Sequence, residues 1–229
     1  MHIVLVHGMG GSDYDWSSVA PLLRASGQRV SVADNMSQSL TDDVAAVQAL
    51  VDAVDDDALL VGHSYGGAVI TNAGTHDRVR GVVYVAAFAP AAGEAVRDIV
   101  ERYEPAEVSH YMTRADDGAW IGVESEEARL ALSWDVPEEA MVTRRQRRRA
   151  SADAIFTHPT GEPAWASKPA WYLVATLDKH LQPAAQRDMA ARAGATVEEI
   201  ATSHSIPLAA PEQVAAFVSH AAASLSADG

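Results

Sequence analysis

The sequence of 229 residues contains no cysteine. Disulfide bonds, thiol nucleophiles and thiolate metal sites are therefore excluded, and cysteine usage leaves the redox compartment open. The sequence also lacks an apolar run of the ~18 residues that a membrane-spanning helix needs. Basic residues are scarce, with 17 lysines and arginines against 31 aspartates and glutamates and a formal net charge of -14 at pH 7. Because this charge repels polyanions, we expect neither nucleic acid nor a membrane as a partner.

The length and composition fit one soluble globular domain that covers residues 1–229. Hydrophobic residues make up 48% of the chain, which is enough for a full core. The first residues, from Met1 to Gly8, enter a strand pattern without the basic region that begins a secretory signal. We therefore expect a cytoplasmic protein, either a monomer or a homodimer.

Short apolar runs alternate with segments of helical periodicity through most of the sequence. Runs of this composition are typical of strands that are buried on both faces of a parallel sheet. The predicted strands are Ile3–Val6, Gln28–Ala33, Ala58–Val61, Val79–Ala87, Ala170–Thr176 and Ala195–Ile200. The predicted helices begin near Ser12, Thr41, Gly67, Pro183 and Pro211. This order predicts an α/β fold, with a mostly parallel central sheet of about six strands that is flanked by helices on both faces.

The alternation breaks down between Phe88 and Pro169. Segments of helical character are separated there by proline or glycine. These predicted helices are Glu94–Tyr103, Glu124–Trp134 and Pro137–Arg149. We therefore predict a helical insertion, at about residues 89–168, that lies over one edge of the sheet.

The most informative motif is Gly62-His63-Ser64-Tyr65-Gly66, which matches Gly-x-Ser-x-Gly. It follows a predicted strand and precedes a segment that can form a helix. A strand that turns into a helix through so few residues strains the middle residue and presents its side chain at the end of the strand. Ser64 is therefore the candidate nucleophile. The alternative interpretation is a glycine-rich turn with no chemistry.

A serine nucleophile needs a base to take its proton, and the base needs a partner that fixes its tautomer. His204 follows the last predicted strand and is the candidate base. Asp178 follows the strand that ends at Thr176 and is the candidate acid that orients the base. The alternative roles are a surface-loop histidine for His204, and a solvated aspartate or a helix cap before Pro183 for Asp178.

The other histidines fit the role of base less well. His7 and His63 adjoin the glycine-rich loop and the candidate nucleophile, so we expect them to shape the site. His180 is the competitor to test, since it lies two residues after Asp178. No His/Asp/Glu pair shows the spacing of metal ligands on one predicted element, so we expect no metal and no cofactor.

Acyl transfer also needs hydrogen-bond donors at the developing oxyanion. The backbone N–H of Tyr65, at the start of the helix after Ser64, is one candidate. The second candidate is the backbone N–H of Met9, in the glycine-rich loop that follows His7. This loop lacks both Gly-x-Gly-x-x-Gly and the lysine of a phosphate-binding loop, which argues against a nucleotide site.

Together these motifs resemble those of the α/β-hydrolase superfamily, and the resemblance runs over nearly the whole chain. Within it, Val83–Pro90, Trp171–Asp178 and Ala190–Gly194 are similar to the small esterases related to plant hydroxynitrile lyases and methylesterases. The resemblance implies a sheet that starts at the third strand of the eight-stranded family fold. The segment Asp34–Leu40 departs from the family because it lacks the usual Gly-x-Gly.

The resemblance implies a serine hydrolase of the carboxylesterase or lactonase type, with Ser64, Asp178 and His204 as its triad. It implies small to medium ester or lactone substrates, an acyl-enzyme and no cofactor. One alternative is a lyase on the same triad, whose relatives use a lysine in the lid or near the triad; this chain offers Lys179 and Lys168. The other alternative is a non-catalytic relative that binds ligands.

The resemblance also implies that the insertion forms a lid over the substrate pocket. Candidate pocket residues, with packing between lid and core as the alternative, are His7, His63, Tyr111, Met112, Trp120, Ile121, Trp134 and Phe156. The run Arg144–Arg149 carries five positive charges. We expect this run to hold a lid helix against an acidic surface or to be a solvated face; a nucleic-acid tract is the less favoured reading.

Overall fold

The computed structural model describes residues 1–123 and 125–227. Glu124, the first residue of one predicted insertion helix, lies outside these ranges, as do the last two residues of the predicted domain. Among the helices within the ranges, none combines the length and the apolar character that crossing a membrane requires.

Six parallel strands form the central sheet, in the order β2-β1-β3-β4-β7-β8. They are β1 (His2–Val6), β2 (Arg29–Val32), β3 (Ala58–His63), β4 (Val79–Val85), β7 (Ala170–Ala175) and β8 (Thr196–Ile200). The four inner strands are almost wholly buried, which explains their apolar runs. The edge strands expose charged side chains such as Arg29 and Glu198, which disfavours pairing with another chain. The predicted α/β fold with six strands is confirmed.

Helices cover both faces of the sheet. One face packs against α2 (Leu40–Asp52), α3 (Gly66–Ala73) and α8 (Pro183–Arg192), and the other packs against α1 (Val19–Ala25) and α10 (Pro211–Ala227), which follows the short α9 (Ile206–Ala209). Successive strand residues point to opposite faces. Val4 and Leu60 therefore join the first core, while Ile3 and Leu59 join the second.

The prediction of one helix that begins near Ser12 is wrong. The chain instead forms a 3-10 turn at Asp13–Trp16 and then the separate helix α1. Ser12 and Asp15 form a capping box that begins the turn, in which Asp15 Oδ2 accepts from the backbone N–H of Ser12 at 3.1 Å. Pro21, in the first turn of α1, explains the break, because in a continuous helix its ring would clash with the carbonyl of the residue four positions earlier.

The segment between β4 and β7 is only partly helical, which corrects the sequence prediction. Its described residues form four short α-helices, 3-10 turns at Glu107–Tyr111 and Ala164–Ala166, and an antiparallel pair of strands, β5 (Met112–Arg114) and β6 (Trp120–Gly122). The helices are α4 (Val96–Val100), α5 (Glu126–Leu132), α6 (Glu138–Arg147) and α7 (Ala154–Thr157). The residues that separate two predicted helices in the sequence form the hairpin turn, where Gly118 adopts a φ of 82°.

Candidate active site

The candidate site lies at the carboxyl edge of the sheet. Met9 comes after β1, Ser64 after β3, Asp178 after β7 and His204 after β8. After β2 the chain crosses back over β1 to reach β3, so the connections that follow β1 and β3 lead to opposite faces of the sheet. In open α/β sheets such a crossing leaves a crevice beyond the strand ends, where ligands bind. Three of the four residues, all except Asp178, line one cavity there.

Ser64 occupies a sharp turn between β3 and α3. Its φ of 54° lies in the left-handed region, which is unusual for a residue with a side chain. Two glycines permit the turn: a Cβ on Gly62 would lie 2.5 Å from the Gly66 carbonyl oxygen, and one on Gly66 would lie 2.5 Å from that of Val6. The Ser64 carbonyl accepts from the N–H groups of Gly67 and Phe88, both at 3.0 Å. The strained backbone at Ser64 is thus held by α3, which contains Gly67, and by the segment after β4, which contains Phe88.

Asp178 and His204 form a buried pair. Asp178 Oδ2 accepts from His204 Nδ1 at 2.6 Å and from Gln186 Nε2 at 2.8 Å. Its Oδ1 accepts from the backbone N–H of His180 at 2.7 Å and of Leu181 at 3.0 Å. Because an ionised carboxylate can only accept, His204 carries a proton on Nδ1 and leaves Nε2 as an acceptor. The Asp178 side chain has no exposed surface, so it is not a solvated loop residue.

Ser64 and His204 line the same cavity. Within the described residues the Ser64 hydroxyl makes no hydrogen bond to His204. Such a bond is often long in a ligand-free site and shortens when substrate binds. Gly8 lies close on the other side: a Cβ there would lie 2.8 Å from Ser64 Cβ and 3.3 Å from Ser64 Oγ. A side chain at position 8 would therefore collide with Ser64, which explains the glycine there.

The two candidate oxyanion donors are backbone N–H groups that have no acceptor among the described residues. They belong to Met9 and Tyr65, and both residues line the cavity. The Tyr65 side chain turns into the core, where its hydroxyl donates to Asp43 Oδ2 at 2.8 Å. Asp43 Oδ1 accepts from the Ser37 N–H at 3.1 Å, and Ser37 Oγ accepts from the Gly10 N–H at 3.1 Å. These bonds connect the loop of Met9 to the turn of Tyr65.

Two histidines flank the His204 ring. His180 stacks on it with ring centroids 4.5 Å apart, and His63 lies 4.8 Å away and donates from Nε2 to the His204 carbonyl at 2.8 Å. Burial lowers the pKa of His63 to about 3, and burial followed by the charge of His204 holds the pKa of His180 well below its usual range. Both rings are therefore neutral at pH 7. His7 lies buried behind the glycine loop, where its Nδ1 donates to the Gly8 carbonyl at 2.9 Å.

Asp178, His180 and His204 also form a group of metal-ligand types, with one donor atom of each within 4.8 Å of the others. Spacing in the sequence does not predict this group. The hydrogen bond between Asp178 and His204 occupies two of the groups, and the rings of His180 and His204 are stacked with 17° between their planes. Their lone pairs therefore lie in two nearly parallel planes that are stacked one above the other. This geometry suits a histidine held by a carboxylate better than a tetrahedral metal site.

The cavity at the strand ends has a volume of about 690 Å³, within the range of small-molecule sites. The predicted pocket residues in its wall are His63, Tyr111, Met112, Trp120 and Phe156. The structure does not bring His7, Ile121 or Trp134 to this wall. Ile121 is 42% exposed because successive residues of β6 point to opposite sides, and Trp134 is 47% exposed.

Two residues of the site escape sequence reasoning, Gln186 and Asp43. Gln186 is wholly buried in α8, and its Oε1 accepts from the Ala175 N–H at 3.0 Å. The available signal is a glutamine on the apolar face that includes Met189 and Ala190. Asp43 lies in the first turn of α2, where the helix dipole already accounts for an acidic residue.

Curated proteins that are named as esterases resemble this chain in sequence. The carbendazim hydrolyzing esterase of Nocardioides sp. (strain SG-4G) is 33% identical over 124 residues, which cover 47% of this chain and 50% of that protein. Methylesterase 8 of Arabidopsis thaliana is 31% identical over 140 residues, which cover 55% of this chain and 48% of that protein. The chain thus spans about half the length of the curated relatives it matches.

Solved structures share the fold across the whole chain. A pyrethroid hydrolase from Sphingobium faniae JZ-2 superposes with a TM-score of 0.85 at 24% identity, over 96% of both chains. Polyneuridine aldehyde esterase superposes with a TM-score of 0.80 at 18% identity, over 96% of this chain and 98% of that one. The sequence model of the alpha/beta hydrolase family matches residues 3–217. With this match over nearly the full chain, the protein belongs to the alpha/beta hydrolase family.

Proposed function

We propose that this protein is a serine hydrolase that cleaves carboxylic esters, with Ser64 as nucleophile, His204 as base and Asp178 as the orienting acid. The observation that carries the proposal is the buried 2.6 Å hydrogen bond from His204 to Asp178, in a crevice where Ser64 is held at a φ of 54°. Relatives named as a carbendazim hydrolyzing esterase and a methylesterase support the proposal that the bond cleaved is an ester.

In the proposed cycle, Ser64 Oγ attacks the ester carbonyl while His204 Nε2 takes the hydroxyl proton. The N–H groups of Met9 and Tyr65 stabilise the negative charge that develops on the carbonyl oxygen. His204 then returns the proton to the alcohol that leaves, and an acyl group remains on Ser64. Water, deprotonated by His204, then attacks the acyl carbon. The bond from that carbon to Ser64 Oγ breaks, the acid leaves, and His204 returns the proton to Ser64 Oγ. Four donors hold the Asp178 carboxylate in place beside His204.

The segment at about residues 89–168 is the lid in this proposal, within a single domain of residues 1–229. It contributes Tyr111, Met112, Trp120 and Phe156 to the cavity wall. The apolar side chains and the cavity volume of about 690 Å³ fit small to medium ester or lactone substrates. Asp153 connects α4 and the β5–β6 hairpin of this segment, since it accepts from Arg97, Arg114 and Trp120 Nε1, the last at 3.0 Å.

Contacts of the lysines favour hydrolysis over the lyase alternative. Lys179 Nζ lies 2.8 Å from a Glu107 carboxylate oxygen, and Lys168 Nζ donates to backbone carbonyls, including that of His76 at 3.2 Å. Neither lysine is among the residues that line the cavity in the described part of the chain.

His180 fits the role of base less well than His204, because its buried Nδ1 has no hydrogen-bond partner within the described residues that would fix a tautomer.

The test is hydrolysis of p-nitrophenyl esters, from acetate to octanoate, by the wild type and by Ser64→Ala, Asp178→Asn and His204→Ala. Each variant should lose about 10³-fold or more in kcat, because the three groups act as a unit. A fluorophosphonate probe followed by mass spectrometry should label Ser64. The matched controls are Ser226→Ala and His220→Gln, which change exposed residues of α10 and should keep wild-type rates.

Two results would overturn the proposal. If the wild type neither turns over esters nor reacts with the probe, a non-catalytic role in ligand binding replaces it. If mandelonitrile releases cyanide faster than any ester is cleaved, the lyase alternative replaces it. His180→Gln decides the base, since its loss should leave kcat within about tenfold while loss of His204 does not.

A further inference from the structure

The segment that follows α6, residues 149–152, lies against the glycine-rich loop of the candidate site. The backbone N–H of Arg149 donates to the Gly10 carbonyl at 2.9 Å, and the guanidinium Nε of Arg149 donates to the Gly11 carbonyl at 3.2 Å. A Cβ on Gly10 would lie 2.4 Å from the Arg149 carbonyl oxygen, so glycine lets the two backbones approach this closely. A residue of the insertion thus bonds two successive carbonyls of the loop that contains Met9.

Planar peptide units connect these bonds to the Met9 N–H. The carbonyl and the N–H of a trans peptide point in opposite directions, so a bond that holds one of them also sets the direction of the other. The unit whose carbonyl belongs to Gly10 carries the Gly11 N–H, which donates to the Gly8 carbonyl at 3.1 Å. That carbonyl belongs to the same trans unit as the Met9 N–H. Arg149 is therefore linked to the candidate oxyanion donor through two successive peptide units.

The glycine-rich loop depends on support from outside itself. Glycine fills three of the four positions from 8 to 11, and glycine has the greatest backbone freedom of any residue. The Gly10 N–H donates to Ser37 Oγ at 3.1 Å, and the Ser37 carbonyl accepts from the Ala152 N–H at 3.0 Å. The insertion therefore holds the loop both directly and through Ser37.

The guanidinium of Arg149 is anchored at a second point. It lies 2.6 Å from Asp34 Oδ1, in a pair whose side chains are 25% exposed for Arg149 and 77% exposed for Asp34. The planar fork of a guanidinium can hold a carboxylate with one nitrogen while another nitrogen donates elsewhere. Because an exposed ion pair contributes little by itself, we expect the bond from Arg149 to Gly11 to have the larger effect on the loop.

We propose that Arg149 is a positioning residue for the oxyanion hole, which fixes the direction of the Met9 N–H through Gly10 and Gly11. This role rests on the proposed ester hydrolysis, in which the Met9 N–H stabilises the charge that develops on the carbonyl oxygen of the substrate. A donor that points away from this oxygen stabilises it less. Hydrogen bonds in succession also polarise one another, which strengthens the last donor. The insertion thus acts on the chemistry as well as on the shape of the cavity.

The experiment compares p-nitrophenyl butyrate with its thiono analogue, in which sulfur replaces the carbonyl oxygen. Sulfur is larger and accepts weaker hydrogen bonds, so the ratio of kcat/KM for the oxygen ester to that for the sulfur ester reports how well the oxyanion hole fits. Arg149→Gln should lower kcat for the oxygen ester about tenfold, with KM within about twofold of the wild-type value. The oxygen-to-sulfur ratio should fall about threefold or more, whereas a loss of folded protein lowers both rates equally and leaves the ratio unchanged.

Two matched variants separate the bond to Gly11 from the charge of the arginine. Arg147→Gln removes an equal charge two positions away, where Arg147 pairs with Asp13 at 3.1 Å, and should keep the wild-type ratio. Asp34→Asn removes the ion pair but keeps Arg149 as a donor to Gly11, and should keep the ratio within about twofold. A fall in either variant as large as that in Arg149→Gln overturns the role of the bond to Gly11.

A second measurement needs no turnover. In protein labelled with 15N-methionine, the Met9 amide signal should shift in Arg149→Gln and keep its position in Arg147→Gln; an unchanged signal in Arg149→Gln overturns the role of Arg149. Ser64-dependent hydrolysis with equal oxygen-to-sulfur ratios in the wild type and Arg149→Gln overturns that role alone. If the wild type cleaves neither ester and a fluorophosphonate leaves Ser64 unlabelled, ester hydrolysis is overturned, and the Met9 signal still decides whether Arg149 sets the direction of that N–H.

Discussion

At the scale of single residues, Gln186 has no charge and takes no part in bond making, yet it holds the carboxylate on which the proposed base depends. Its amide nitrogen donates to Asp178 Oδ2 at 2.8 Å and to the Leu181 carbonyl at 2.7 Å, while its oxygen accepts from Ala175. All three bonds are buried, so each polar atom has a protein partner in place of water. Gln186 therefore fixes the position of Asp178 relative to β7.

Gln186→Met should lower kcat/KM by about tenfold, because a buried hydrogen bond to a charged group is worth about 1.5–3 kcal/mol. Initial rates, with Gln213→Met on the exposed surface of α10 as control, check this loss. A lower melting temperature with an unchanged kcat/KM would reduce Gln186 to a purely structural role.

The backbone and the side chain of Tyr65 have separate roles. Tyr65 lines the cavity and its backbone N–H has no acceptor among the described residues, whereas its hydroxyl donates to Asp43 in the core. Tyr65→Phe should lower kcat about tenfold with little change in KM, because an oxyanion donor acts mainly in the transition state. The control is Tyr84→Phe, which deletes a buried hydroxyl bonded to Thr71 at 2.9 Å. Equal kcat in the two variants would contradict the role of the Asp43 link in positioning the donor.

At the scale of elements, one of the contacts that attach helix α6 to the body of the protein is a buried ion pair. The side chain of Asp15 is 3% exposed and that of Arg144 19%, whereas the Arg147–Asp13 pair is 51% and 70% exposed. Burial opposes the ionisation of Asp15, but Arg144 and the nearby histidines lower its pKa below the usual value. Arg144 Nη1 also donates to Ser205 Oγ at 3.2 Å, next to His204. The helix is therefore linked to the loop that carries the proposed base.

Arg144→Gln should reduce the free energy of unfolding by about 3–5 kcal/mol, because it leaves the Asp15 carboxylate buried without its cation. Arg147→Gln should cost less than ~1 kcal/mol, since water and salt already screen that exposed pair. Urea unfolding monitored by tryptophan fluorescence measures both. Adding Asp15→Asn to Arg144→Gln should recover part of the loss, and equal losses in the two single variants would contradict the difference in burial.

At the scale of the whole molecule, buried histidines make stability depend on pH. Burial lowers the pKa of His7, His63 and His180, for His63 to about 3. In the unfolded chain each titrates near its ordinary value of 6.5. The unfolded state therefore binds more protons below that pH, which favours unfolding. The lowered pKa of Asp15 acts in the same direction below its ordinary value of 3.8, and the raised pKa of Asp43, caused by burial, acts in the opposite direction.

The free energy of unfolding should thus fall as pH drops below about 6.5, by up to about 1.4 kcal/mol per pH unit for His63, with His7 and His180 adding to the fall. Urea midpoints at about pH 7.5, 6 and 5 measure the slope. His63→Gln removes one of the titrating groups and should flatten the slope, while His220→Gln on the exposed surface should not. A midpoint that is constant across this range would show that these histidines titrate alike in the folded and unfolded states.

The sequence by itself determined the features that depend on a few neighbouring residues. The apolar runs of β1, β3 and β7 predict parallel strands, because a strand that is buried on both faces does not alternate apolar and polar residues. Gly62 and Gly66 predict the turn at Ser64, because a Cβ at either position meets backbone atoms. The candidate residues Asp178 and His204 follow from their places after strands, since the ends of parallel strands meet at one edge of a sheet.

Tertiary structure decided the contacts between distant parts of the chain. Asp178 meets His204 and Gln186, and Asp43 meets Tyr65, only because strand order and helix packing bring them together. The same holds for the arginine run, whose members are alike in the sequence and differ only in what each faces once α6 docks. Local propensity acts over a few residues, whereas the burial and partners of a charged or amide side chain depend on every element around it.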